Sequence, residues 1–159
     1  MRIRILAVGK IKEKYLHDGI AEYIKRLKPY ASIEIIEVSD EAVNEKASVS
    51  EIEIAKQKEG LKLLKNIKGS DLVINLDLNQ KQYTSEEFAS FLEKSSRDGE
   101  AIVNFVIGGS YGLSEEMKKR ANLSISLSNM TFLHQMTRLI LLEQIYRAFK
   151  INHHEVYHK

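Results

Sequence analysis

The chain contains no cysteine. That excludes a disulfide framework and any thiolate metal site. It contains a single proline, Pro29, and no Pro/Gly-rich linker, internal repeat or low-complexity stretch. With nothing to mark a joint, one domain over residues 1–159 is expected. No apolar run is long enough to span a bilayer, and none is expected to act as a membrane anchor. The N-terminal "MRIRILAVGK" alternates like a strand and lacks the long apolar core of a signal peptide. An intracellular, cytoplasmic protein is the expectation. Charge of one sign is also missing: 24 Lys and Arg stand against 22 Asp and Glu, a net +2. That is too little to mark a nucleic-acid binder by itself. Three local clusters remain, Lys10/Lys12/Lys14, Lys25/Arg26/Lys28 and Lys118/Lys119/Arg120. Each reads equally as a solvated face or as a set of phosphate contacts.

What is present is an alternation of strand and helix patterns. "RIRILAVG" reads as a strand growing more buried toward its end. "EKYLHDGIAEYIKRLKP" carries apolar residues at helical spacing and ends at Pro29. "SIEIIEVS" alternates as a second strand, and a long helix follows from about residue 48 to 68, where Ser48 and Glu51 form a capping box. "DLVINLDL" is a third strand. Thr84 and Glu87 form a second capping box at the helix "SEEFASFLEKSS". "AIVNFVI", apolar on both faces, reads as a buried parallel strand. Ser114 caps a short helix with acids first and bases last, "NLSISLS" is a fifth strand, and a final helix runs from about 133 to 150. The pattern predicts an α/β fold, a mostly parallel sheet with helices on both faces. Ligands in such sheets bind beyond the carboxyl ends of the strands. The loops after Leu76, Ile107 and Leu127 are the candidates.

Glycine is scarce, eight in all, yet Gly108, Gly109 and Gly112 fall within five positions of "FVIGGSYGLS". The motif is neither a dinucleotide fingerprint nor a P-loop. It reads as a tight turn, or as backbone that must approach a ligand where a Cβ would not fit. The final helix, "RLILLEQIYRAF", is apolar nearly all round, which suits either a central core helix or one sandwiched against a second subunit. His134 and Arg138, four apart, open it. They read as a helix start with a surface cation, or as an imidazole and a cation facing one pocket. "HEVYH", His154 to His158, matches the H-E-x-x-H zinc pattern. It stands at the end of the chain with no downstream third ligand, where helical geometry frays. No metal is expected. A polar tail, or a tail folded over a site to supply Tyr157 and His158, are the other readings. No nucleophile elbow and no convergent pair of carboxylates is present.

Taken together, "LDLN" after the third strand, "IGGSYGLS", "LSISLSNMTFLHQMTRLILLEQIYRAFKI" and the closing "YHK" resemble the SPOUT-class methyltransferases. More narrowly, they resemble the bacterial members that methylate N3 of a pseudouridine in large-subunit (23S) ribosomal RNA. Its most specific parts are "IGGSYG", the series His134, Arg138, Glu143, Tyr146, Arg147, Ala148, and "YHK", in this order, and the likeness runs from "AVGK" to the tail. Two tail positions depart from the pattern: Val156 stands where proline is common and Glu155 where histidine is usual.

The resemblance implies a C-terminal trefoil knot, which general rules of chain threading count against. It implies a homodimer and S-adenosylmethionine as methyl donor. It assigns donor binding to Leu76, Gly108, Gly109 and the run Leu127, Ser128, Asn129, Met130, Thr131 and Phe132. It gives His158, Tyr157 and Arg138 to catalysis, with His134, Arg138 and Lys159 toward the RNA. The small net charge favours a folded ribosomal particle over free RNA as substrate. The other function classes are a non-catalytic RNA- or nucleotide-binding module of the same fold and a zinc peptidase using the terminal histidines.

Overall fold

The computed structural model describes residues 1–97 and 102–159. Five strands form one sheet: β1 Arg2–Val8, β2 Ser32–Val38, β3 Leu72–Lys81, β4 Ile102–Ile107 and β5 Leu123–Ile125. Their order is β2-β1-β4-β3-β5 and every pairing is parallel. The helices are α1 Lys14–Leu27, α2 Val49–Leu64, α3 Ser85–Arg97, α4 Glu115–Arg120 and α5 His134–Asn152. None of them is long and apolar enough to cross a membrane.

Strand periodicity divides the core in two. In β1, Ile3, Ile5 and Ala7 face one layer, with Phe105 and Ile107 of β4. That layer is covered by α1, α3 and α5 through Ile20, Leu27, Phe88, Leu92, Leu141 and Ile145. Leu6 and Val8 face the other side with Val106, beneath Leu63 of α2 and Met117 of α4. The parallel sheet covered on both faces is the one the sequence predicts.

The Thr84/Glu87 capping box and the Ser114 cap form as the sequence predicts, whereas at Ser48 only the serine half of the box is made. Ser48 Oγ accepts the Glu51 N–H, and Thr84 and Glu87 exchange reciprocal bonds at the start of α3. Ser114 Oγ accepts the Met117 N–H and caps α4. Two strands differ in length from their patterns. β5 stops at Ile125, because the chain beyond turns away to wall a cleft. β3 runs on to Lys81 through Asn79, whose φ is 57°, with a register shift against Ile125.

In the central strand, β4, Asn104 is fully buried between Arg4 and Asp71. Its Nδ2 donates to Asp71 at 3.1 Å and its Oδ1 accepts from Arg4 at 3.3 Å. The buried amide is thus satisfied, as interior polar groups must be.

Candidate active site

Three segments meet at the carboxyl edge of the sheet. β3 ends the wall with Leu76, Asp77 and Leu78; β4 runs into Ile107, Gly108 and Gly109; the chain after β5 contributes Leu127, Ser128 and Met130 to Phe132. They enclose a cleft of about 540 Å³, within the range of small-molecule sites. The strand order brings the ends of β3, β4 and β5 side by side, so residues 50 apart in sequence share one wall.

The glycine cluster forms the floor, and the tight turn read from the sequence is there. Gly112 N–H donates to Gly109 O at 3.1 Å, which closes a tight turn. Gly112 has φ +87°, a left-handed angle that suits glycine. A Cβ on Gly108 would stand 2.8 Å from the Gly112 carbonyl carbon. The floor is therefore bare backbone at a distance no side chain permits.

The opposite wall is braced by one hydroxyl. Ser126 Oγ donates to Asp77 O at 2.6 Å and accepts the Gln80 N–H at 2.7 Å. Beyond it, Ser128 Oγ accepts the Met130 N–H and shapes the next turn. Leu78, Tyr111, Met130 and Leu133 are exposed around this edge. Among the described residues, Asp77 is the one carboxylate in the lining.

Of the residues expected to hold a donor, Leu76, Gly108, Gly109, Leu127, Ser128, Met130, Thr131 and Phe132 all line the cleft. Asn129 does not. It is exposed and its Oδ1 accepts from Gln82 Nε2. His134 lines the cleft from the start of α5. Its imidazole is held below the ordinary histidine range by burial, with the Arg138 charge acting in the same direction. Asp77, Ile107, Ser110, Leu133 and Thr137 also line the cleft. They lie within the same quoted motifs but are not among the residues singled out from the sequence.

Arg138 lies elsewhere. It is fully buried and lines neither this cleft nor its neighbour. Nη1 donates to Glu37 Oε2 at 2.6 Å, and Nη2 to Gly9 O at 2.8 Å and Val8 O at 3.3 Å. It ties the first turns of α5 to the ends of β1 and β2.

The tail folds back along α5. It is not helical: α5 ends at Asn152 and His154 has φ 54°, so His154 and His158 do not share a helix face. Among the described residues no three His, Asp or Glu side chains gather to hold a metal. Tyr157 OH donates to Glu143 Oε1 at 3.1 Å, beneath the Arg147 guanidinium. Burial first, then Tyr23 and the Glu143 charge, hold the phenol well above its ordinary range, so it keeps its proton. His158 meets Arg147 through Nδ1 at 3.2 Å and Glu86 through Nε2 at 2.8 Å. Glu155 is bound by Lys150 and by the Tyr30 hydroxyl, which hold its carboxyl below the usual range. Lys159 is exposed. None of these tail contacts is to a residue that lines the cleft.

A parallel sheet with a glycine-floored cleft at its carboxyl edge belongs to the α/β proteins that bind nucleotides and related cofactors there. Within that class the chain belongs to the SPOUT methyltransferase family: a family model described as "Predicted SPOUT methyltransferase" matches residues 1–158. Two relatives called "Ribosomal RNA large subunit methyltransferase H", from Bacillus thuringiensis (strain Al Hakam) and Bacillus cereus (strain B4264), are each 53% identical over 159 residues, the whole of both chains.

Two solved structures share the fold at low identity. A probable methylase family protein from Haemophilus influenzae Rd KW20 has a TM-score of 0.55 at 15% identity, covering 99% of this chain and 70% of its own. A putative methyltransferase from Legionella pneumophila, solved in complex with SAM, has a TM-score of 0.50 at 12% identity, covering 94% and 66%.

Proposed function

We propose that this protein transfers the methyl group of S-adenosylmethionine to N3 of a pseudouridine in large-subunit ribosomal RNA. In this reading it acts in the cytoplasm as a homodimer on the assembled ribosome, with its C-terminal segment forming the trefoil knot of its family. Relatives identical at 53% of positions are named as large-subunit ribosomal RNA methyltransferases, and a protein of the same fold binds SAM. The observation that carries the reading is the bare backbone at Gly108, where a Cβ would strike Gly112.

The cleft suits that donor. Leu76, Ile107, Leu127 and Phe132 offer apolar walls for a flat base, and the glycine floor and the turn at Ser128 offer peptide groups for its polar edge. The donor supplies a methyl group that is already electrophilic. The protein has then to align N3 with it and remove the imide proton. Alignment in a closed site can supply much of the rate.

Proton removal needs a group within reach, then a suitable pKa. In this reading His158 takes that role, since imidazole is the side chain suited to proton movement near neutral pH. Tyr157 keeps its proton and orients the tail. Within one chain the tail rests on Glu143, Arg147 and Glu86, away from the cleft lining. The homodimer reading therefore has the tail serve the cleft of the partner subunit. It is supported by the exposed apolar rim of Leu78, Met130 and Leu133 beside the cleft. Arg138 enters by holding the turn that carries His134, and Lys159 as a cation for RNA phosphate.

The experiment is methyl incorporation from labelled S-adenosylmethionine into ribosomes lacking the modification, followed by mapping of the nucleotide. One methyl at N3 of a large-subunit pseudouridine is expected. RNA binding without incorporation would identify a non-catalytic module instead, and sedimentation of a monomer at working concentration would remove the dimer.

A further inference from the structure

A second cavity, about 210 Å³, adjoins the cleft, and Gly109, Ser110 and His134 border both. Its remaining walls come from the end of β1 and the chain just after it, the segment after β2, Glu59 on α2, Tyr111 and Gln135. Its volume equals that of about seven waters at roughly 30 Å³ each, room for one planar heterocycle.

Glu59 is an odd residue to find there. It is only 7% exposed, yet it carries a carboxylate. Oε2 accepts the Glu41 N–H at 3.0 Å. Oε1 has no hydrogen-bond donor among the described residues. It lies against the partition between the two cavities, since a Cβ on Gly109 would stand 3.2 Å from it. Burial above all, with Asp40 adding to it, pushes this carboxyl above the usual range. The other charges around the cavity are Glu41, which Lys62 neutralises at 2.8 Å, the half-buried His134, and Lys10 and Lys12 at the mouth. A buried charge with an open lone pair is costly unless a donor meets it.

We propose that this cavity receives the acceptor base, and that Glu59 Oε1 accepts the N1–H of pseudouridine and thereby selects it over uridine. The inference rests on the function proposed above. N3 faces the donor cleft and must shed its proton, so it keeps no hydrogen bond through the transfer. Oε1, on a carboxyl anchored through Oε2 by the Glu41 N–H, suits a donor that persists throughout. Pseudouridine has a second ring N–H, at N1, whereas uridine has a C–H on the matching edge. Uridine would leave Oε1 buried and unpaired, the situation by which sites reject analogues lacking a donor. Lys10 and Lys12, exposed and in no ion pair among the described residues, stand where the flanking phosphates would pass.

The test compares initial methylation rates on large-subunit particles carrying either pseudouridine or uridine at the target position. Wild-type protein is expected to favour pseudouridine by about tenfold or more. In the Glu59→Gln variant the Glu41 N–H retains the amide oxygen, so an NH2 group is left facing the base. The preference is expected to fall to within about threefold, through loss on pseudouridine alone. Glu59→Asp, which keeps the charge but withdraws it from Gly109, is expected to lose the preference in the same way. Donor affinity, read by calorimetry, is expected to stay constant. A purely structural role would lower both rates together, and an unchanged ratio in both variants would overturn the proposal. So would wild-type protein that methylates both particles equally. Wild-type protein that methylates neither would overturn the parent reading, and this inference with it.

Discussion

The carbonyl carbon of Gly112 lies 2.8 Å from where a Cβ on Gly108 would stand. The two glycines fix the cleft floor for different reasons, and substitution separates them. Gly108→Ala must displace backbone, so it is expected to cost about 1–3 kcal/mol of stability and to abolish donor binding measurable by calorimetry. Gly112→Ala meets nothing within 4 Å but must hold φ +87°. It is expected to cost about 1–2 kcal/mol while leaving donor binding largely intact. Denaturant unfolding beside calorimetry checks both, and equal effects on binding would contradict the assignment.

Arg138 and Glu37 form a pair 2.6 Å apart that ties α5 to the ends of two strands. Arg138 is buried and Glu37 exposed, so the loss falls mainly on the arginine side. Arg138→Met is expected to lower stability by roughly 1–3 kcal/mol, because it leaves the Val8 and Gly9 carbonyls without their donor. Adding Glu37→Gln is expected to return part of that. A double-mutant cycle in urea reads the coupling, and strict additivity would show that the pair does not act together.

Glu59 makes a prediction about stability that runs opposite to its proposed use. Its carboxyl titrates above the usual range in the fold, so folding favours its protonated form. That contribution is present at acid pH and is lost as pH rises through the raised pKa. The Glu59→Gln variant, neutral throughout, does not lose it. The stability of the variant relative to wild type should therefore climb from about pH 4 and level off toward neutrality. Urea midpoints across that range test this, and a gap that shrinks with rising pH would refute it.

The tail separates chemistry from binding. His158→Ala is expected to cut turnover by about 100-fold while leaving donor affinity and melting temperature nearly unchanged. Unchanged turnover would remove His158 from the mechanism. Tyr157→Phe deletes the bond to Glu143 but keeps the ring against Tyr146, so it should cost less than His158→Ala.

Local signals explain most of what the sequence discloses. Alternation in β1 and the apolar run of β4 give the strands, and the hydroxyl caps at Ser48, Thr84 and Ser114 give the helix starts. The cleft follows from strand ends plus three glycines. What the sequence hides is made by distance. Arg138 and Glu37 are 101 residues apart, and no spacing rule joins them. Glu59 sits inside an ordinary helical pattern, and only the fold brings it against Gly109. The tail's placement was equally unreadable, because it depends on aromatic contacts to α1 and α5 that leave no local period.

β4 leads into both cavities. The segment that follows it borders the donor cleft on one side and the Glu59 chamber on the other, with Gly109 as the dividing wall. Thickening that wall crowds two reactants at once, and thinning it joins their compartments. Selection therefore cannot tune one chamber at residue 109 without disturbing its neighbour, and drift in this enzyme should be slowest where one strand's end serves two rooms.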